Sequence, residues 1–257
     1  MYEFCRVERE GRVLVVTLDR PEVMNALHPP ANFELERVFD EFAADPELWV
    51  AILTGAGDRA FSAGNDLKFQ AAGDGRLEVP PRGFAGLTSR FDLSKPVIAA
   101  VNGIAMGGGF EIALACDLVV AAESAVFALP EPRVGLAALA GGVHRLPRQI
   151  GMKRAMAMLL TGRRVSAREG LELGFVNEVV PAPELPTAAR RWAAAILECA
   201  PLSVRATKQA ALAGEGLPLA EAMAAHHEGM RAMVRSEDFR EGPQAFAEKR
   251  APRWKGR

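Results

Sequence analysis

Hydrophobic and polar positions divide the chain into two halves. In the first, short unbroken apolar runs alternate with stripes at helical spacing. Arg12–Leu18 (RVLVVTL) is β-rich and stops at Asp19-Arg20-Pro21. Ala31–Ala44 carries Leu35, Val38, Phe39 and Phe42 on one helical face, and Asp45-Pro46 ends it. Trp49–Thr54, Pro96–Val101 and Leu118–Ala122 are continuous apolar runs, the pattern of strands covered on both faces. Phe69–Ser89 is rich in glycine and proline and reads as a long loop or lid. Strands with helices between them predict an α/β fold with parallel sheet content.

The second half reads as helical. Ser166-Ala167-Arg168-Glu169 is a capping box, and Gly174 stops the helix it starts. Pro181–Pro186 reads as a linker. Thr187–Cys199, Leu202–Ala213, Leu219–Val234 and Glu237–Lys249 are predicted helices, and no internal repeat is visible in the sequence. The tail carries Lys249, Arg250, Arg253, Lys255 and Arg257 and no acid.

Composition narrows the class. With 257 residues, 49% of them hydrophobic and 25% charged, the chain suits one large globular domain, or one domain with an appendage. A net charge of -1 argues against a nucleic-acid partner. The most apolar stretches are broken by Asn102, Glu111 and Asp117, so no membrane span is expected. The opening MYEFCRVERE is charged from its third residue and predicts no secretory leader. Cys5, Cys116 and Cys199 are odd in number and far apart, which predicts neither a disulfide framework nor a metal site and fits the cytoplasm.

Two segments can bring bare backbone to a ligand. Phe61–Leu67 (FSAGNDL) follows a predicted strand, and its small residues allow close approach. Val101–Glu111 (VNGIAMGGGFE) runs strand, glycine turn, helix, and leaves N–H groups free at the positive end of a helix dipole, where a developing oxyanion is stabilised. No Gly-Lys-Ser/Thr follows and the G-x-G-x-x-G spacing is missing, which excludes a phosphate loop and a dinucleotide fingerprint. Glu111 falls in the first turn of that helix. Glu131, flanked by Pro130 and Pro132, is expected on a rigid extended segment. His144, His226, His227, Met152, Met156, Leu159 and Cys116 read as packing, interface or solvent positions.

Six segments, in order and at these spacings, resemble the crotonase superfamily, and within it the enoyl-CoA hydratase family. They are DRPEVMNAL (Asp19–Leu27), AFSAGNDL (Ala60–Leu67), NGIAMGGGFEIALACD (Asn102–Asp117), FALPEPRVGL (Phe127–Leu136), GGVHRLPRQIG (Gly141–Gly151) and TGRRVSAREGLELGFVNEVV (Thr161–Val180). The resemblance implies a ββα spiral core with the active site over residues 1–195. A helical region over 196–257 would serve trimerisation, with trimers able to stack into hexamers. The implied substrate is an acyl-CoA thioester, so coenzyme A arrives as part of the substrate and no separate cofactor is called for. The family's oxyanion donors fall on the backbone N–H groups of Asn65 and Gly108, and its catalytic glutamates on Glu111 and Glu131. Ala63, Asn65, Asp66, Leu67, Lys68 and Gly108 are the implied contacts to the CoA ester.

The implied reaction is reversible addition of water across the 2,3 double bond of a 2-enoyl-CoA, with Glu111 mainly activating water and Glu131 mainly protonating Cα. Double-bond isomerisation, ring-enoyl hydration and carnitinyl-CoA dehydration use the same frame and stay open. A non-catalytic RNA-binding role also stays open, although Glu34–Asp45 is acidic where such a role wants lysines. Asn65 is expected to add a side-chain contact to the pocket. Glu22 stands where a basic residue often faces the CoA phosphates, which leaves Lys68 and the basic tail as substitutes.

Overall fold

The computed structural model describes residues 2–73 and 78–257, so part of the expected Phe69–Ser89 lid lies outside the described residues. In chain order the strands are β1 (Cys5–Glu10), β2 (Val13–Leu18), β3 (Val50–Gly55), β4 (Ala60–Ser62) and β5 (Val97–Val101). They continue with β6 (Ile104–Met106), β7 (Leu118–Ala122), β8 (Val126–Ala128), β9 (Val165–Ser166) and β10 (Glu178–Val180). The helices are α1 (Pro29–Ala44), α2 (Leu67–Ala72), α3 (Gly108–Ala115), α4 (Gly142–Ile150), α5 (Met152–Thr161) and α6 (Ala167–Leu173). After them come α7 (Leu185–Leu197), α8 (Pro201–Gly214), α9 (Leu219–Ala224), α10 (Glu228–Arg235) and α11 (Asp238–Ala247).

The long strands form one sheet in the order β1-β2-β3-β5-β7-β10, parallel except for the β1–β2 hairpin. Their unbroken apolar runs now have a cause. Alternate residues serve two cores: Leu14, Val16 and Leu18 pack with Leu35, Val38, Phe39 and Phe42 of α1, while Val13 and Val15 join Ile52, Ile98, Val120 and the Ala188, Ala189 and Ala193 face of α7. A strand with helices on both sides has no solvent face to mark with polar residues. The edge strand β1, with its charged alternation (CRVERE), is the exception.

A second, smaller sheet runs β4-β6-β8-β9. Three times the chain makes a long strand, a short strand in the second sheet, and then a helical turn: β3-β4-α2, β5-β6-α3, and β7-β8 followed by a 3₁₀ turn at Glu131–Val134. This is the ββα spiral. The repeat lies in element order, which explains why no sequence repeat announces it. Because β4, β6 and β8 are parallel neighbours, the segments leaving their C-terminal ends lie side by side. Under this sheet Phe110, Phe127 and Phe175 pack as a triad with ring centroids 5.0–5.2 Å apart.

Two expectations change. The single helix expected over Leu219–Val234 is two, α9 and α10, because Ala225 is extended (φ -65°, ψ 136°) and His227 is an extended cap. The adjacent histidines supply little helix propensity to oppose the break. Glu131 does not lie on an extended segment: Pro130 has ψ 8° and Glu131 opens a 3₁₀ turn that closes on left-handed Gly135. The Ser166 cap is as expected, its hydroxyl accepting from the Glu169 amide at 3.2 Å.

Candidate active site

The site is assembled from the exits of the three short strands. After β4 comes Ala63-Gly64-Asn65-Asp66. A Cβ built on Gly64 (φ 86°) would lie 2.6 Å from the Met106 carbonyl and 2.7 Å from the Gly108 nitrogen, so only glycine lets this loop run against the exit of β6. Leu27 bridges the loop in parallel: its amide donates to the Gly64 carbonyl at 2.8 Å, and the Asp66 amide donates to the Leu27 carbonyl at 3.0 Å. In such a bridge the intervening residue's N–H faces the other way. The Asn65 amide is therefore left over.

After β6 the glycine triplet turns the chain into α3. A Cβ on Gly109 would lie 2.1 Å from the Ser62 carbonyl, and one on Gly108 2.5 Å from the Phe84 ring. Gly108 is the first residue of α3, so its N–H is one of the first-turn amides with no acceptor inside the helix. The Asn65 segment and the Gly108 amide thus meet at one place. Ala85 (φ 55°), whose amide donates to Asn32 Oδ1 at 2.7 Å, holds the neighbouring Phe84 there.

Glu111 and Glu131 enter from two sides. Glu111, on α3, is only 3% exposed. Its Oε1 accepts from the Gly142 amide at 2.8 Å. Burial pushes its pKa up to about 7; neighbouring Glu131 adds to the rise, while the Gly142 and Ala140 amides and the Arg145 guanidinium oppose it. Glu131 lies against Gly107, with Oε1 3.0 Å from where a Cβ would stand. Its Oε2 is buried and has no hydrogen-bond partner, and burial raises its pKa too. The turn that carries it is pinned by α5: Arg133 Nε donates to the Thr161 carbonyl at 2.9 Å. Glu111 is buried and Glu131 half-buried, and the charge of Glu131 adds to the proton affinity of Glu111.

Some expected contacts take structural roles here, and two residues prominent in the geometry, Gly142 and Arg145, were not singled out from the sequence. Asp66 caps α2 through the Phe69 amide (3.1 Å) and pairs with Arg20 (3.1 Å). Burial raises its pKa, but the amide and the guanidinium together hold it below the ordinary carboxylate range. Gly142 and Arg145 follow the expected His144 motif, in which only the histidine had drawn notice. The Asn65 side chain does not face the pocket as a free contact: its Nδ2 donates to Gln70 Oε1 at 2.6 Å. Lys68 is exposed on α2. The basic tail is committed elsewhere. Arg250 pairs with Glu241 at 2.6 and 3.0 Å, while Lys255 and Arg257 both reach Glu237, at 2.6 and 3.1 Å. Asp238 also accepts from the Lys255 and Gly256 amides.

A spiral whose short-strand exits bring two glycine-bearing turns beside a buried and a half-buried glutamate is the frame in which the comparisons fall. The enoyl-CoA hydratase/isomerase family model matches residues 8–257, and the chain belongs to that family, within the crotonase superfamily. Among curated relatives, it is 48% identical to the carnitinyl-CoA dehydratase of Salmonella typhi over 262 residues, covering 100% of both chains. Among solved structures, the enoyl-CoA hydratase of Mycobacterium tuberculosis is 39% identical with a TM-score of 0.91, covering 99% of each chain. That of Bacillus anthracis is 38% identical with a TM-score of 0.91, covering 99% of this chain and 100% of its own. Among the described residues no helix is long and apolar enough to cross a membrane.

Proposed function

We propose that the chain is a hydro-lyase that adds water reversibly across the 2,3 double bond of a 2-enoyl-CoA. The observation that carries this reading is the glutamate pair, Glu111 buried and Glu131 half-buried, both with raised proton affinity, at the glycine turn where the Asn65 and Gly108 segments meet. The thioester carbonyl withdraws electrons from the double bond, and the two amides hold the oxygen as it takes on enolate character. Loss of one such donor typically costs about 3–4 kcal/mol. Glu111, ionised, takes a proton from water as the oxygen bonds to Cβ; Glu131, protonated, gives its proton to Cα. The reverse direction exchanges these duties. Coenzyme A comes with the substrate, Ala63, Asp66 and Leu67 line its approach, and exposed Lys68 is the candidate phosphate contact.

The 48% full-length identity to a carnitinyl-CoA dehydratase favours a second, narrower reading, in which the acyl group is carnitinyl. Loss and gain of the enoyl-thioester ultraviolet absorbance, followed with crotonyl-CoA and with carnitinyl-CoA, tests both. Turnover of either supports the hydro-lyase, and a preference for carnitinyl-CoA selects the narrower reading. Transposition of the double bond without hydration overturns both.

Assembly into trimers or stacked trimers is part of the same proposal. Leu219 and Met223 on α9 are 76% and 79% exposed, more apolar surface than a monomer ordinarily leaves uncovered. Light scattering that finds a stable, active monomer overturns this part alone.

A further inference from the structure

Arg145 breaks a local rule. It sits in the first turn of α4, where the helix dipole disfavours a cation. Its side chain does not escape to solvent. The guanidinium turns back over the start of its own helix, with Nη1 2.1 Å from where a Cβ on Gly141 would stand. Its Nη2 donates to the Thr88 carbonyl at 2.8 Å. Its Cζ lies 5.8 Å from the Phe91 ring centroid. Gly141 caps α4 with φ 109°, a conformation that a side chain strains, and its carbonyl accepts from the Arg145 amide at 2.8 Å. The next residue is Gly142, whose amide holds Glu111 Oε1 at 2.8 Å. One arginine therefore clamps the turn that grips the carboxylate and ties that turn to the segment carrying Phe84.

We propose that Arg145 is a positioning residue for Glu111: it fixes the Gly141–Gly142 turn whose amide orients the carboxylate, and it brings a positive charge into that carboxylate's field. This rests on the reading of Glu111 as the group that activates water. The charged and titratable groups facing the pair are Glu131 from its 3₁₀ turn, Cys116 at the end of α3, and Glu215 beyond α8. Glu131 raises the proton affinity of Glu111, and Arg145 lowers it. The other two act on Arg145. A water-activating base must be ionised at the working pH, so a cation that opposes burial keeps Glu111 in use nearer neutrality.

The test is the pH dependence of kcat/KM for Arg145→Met, Arg145→Lys and Glu111→Gln, using whichever of crotonyl-CoA and carnitinyl-CoA the wild type turns over faster. Thermal melts identify folded variants. Removing the charge favours the neutral carboxyl, so Arg145→Met is expected to move the acid limb upward. It should also lower kcat more than it raises KM. Arg145→Lys keeps the charge and loses the fork, so its limb should stay near the wild-type position while kcat falls. A folded Arg145→Met protein with an unmoved acid limb overturns the inference. Should that variant not fold, an Arg145→Lys protein with wild-type kcat overturns the clamp. If Glu111→Gln keeps wild-type turnover, it is the reading of Glu111 that fails, which separates the two failures.

Discussion

Glu111 and Glu131 leave neighbouring turns of one spiral and face one space, yet the fold treats them differently. Glu111 stands on a helix in the core, 3% exposed, gripped by an amide from the start of α4. Glu131 stands on a short turn braced from behind by Arg133 and Thr161, while its own Oε2 meets no donor. An amide favours the ionised form, and an unsatisfied buried oxygen favours the protonated one. On the proposed mechanism, one residue type would supply both a base and an acid, and the difference would lie in what the surrounding backbone offers. Proton affinity alone does not assign the duties, since burial lifts Glu111 to about 7 while the backbone amide of Glu131 opposes the rise at Glu131.

The strongest way to break the comparison is to neutralise each acid in turn. Glu111→Gln and Glu131→Gln should each lower turnover by roughly 10²–10⁴-fold in a folded protein, the usual worth of a general acid or base. The double variant should lose less than the product, since the two act as a unit. Steady-state rates check this, and wild-type turnover in either single variant removes that residue from the mechanism.

Proton linkage sharpens the difference next. Glu111 binds its proton more tightly folded than unfolded, with its pKa raised from 4.5 to about 7. Its contribution to stability is therefore complete below pH 4.5 and is lost as the pH climbs through about 7. Relative to Glu111→Gln, the wild type should lose on the order of a few kcal/mol across that window. Melting temperatures of both proteins, compared at each pH, check it, and a flat difference would show that burial does not act on this carboxyl as stated.

How much of this was legible in the sequence follows the same physics. The long strands could be read because burial on both faces leaves an unbroken apolar run, and α1 because it shows one apolar stripe. The strands β4, β6, β8 and β9 are two or three residues long, too short to carry a period, although they bring the site together. Glu111, Glu131, Asn65 and Gly108 were marked by motif and resemblance, and the structure gathers them. Arg145 and Gly142 were not singled out, because a helix-start arginine looks like any surface cation until the Thr88 carbonyl it holds is seen. The five cations of the tail looked free because the acids that hold three of them, Glu237 and Glu241, lie a helix away.

A smaller effect should separate the two glutamates in stability. Replacing Glu131 with Leu removes a buried oxygen that has no donor, and replacing Glu111 with Ala strands the Gly142 amide and opens a cavity. A stranded buried donor costs about 1–3 kcal/mol, so Glu111→Ala should melt lower than wild type. Glu131→Leu should melt no lower, and by up to about 1 kcal/mol higher. Denaturant titration at pH 7 measures both, and equal destabilisation by the two changes would erase the contrast.

The smallest expected effect is at Asn65, where backbone and side chain can be separated. Its amide is left over by the Leu27 bridge, whereas its side chain turns away to Gln70 at 2.6 Å. Asn65→Ala deletes that side-chain bond and leaves the N–H in place. A partly exposed hydrogen bond of this kind is worth about 0.5–1.5 kcal/mol, part of which water restores. The loop is also held by the paired Asp66 and Arg20, whose bond at 3.1 Å does not depend on Asn65. Turnover should therefore fall by no more than about threefold, which is about 0.65 kcal/mol at roughly 1.4 kcal/mol per decade. A folded Asn65→Ala protein that loses a hundredfold or more, on the order of a missing oxyanion donor, would transfer the role from the amide to the side chain.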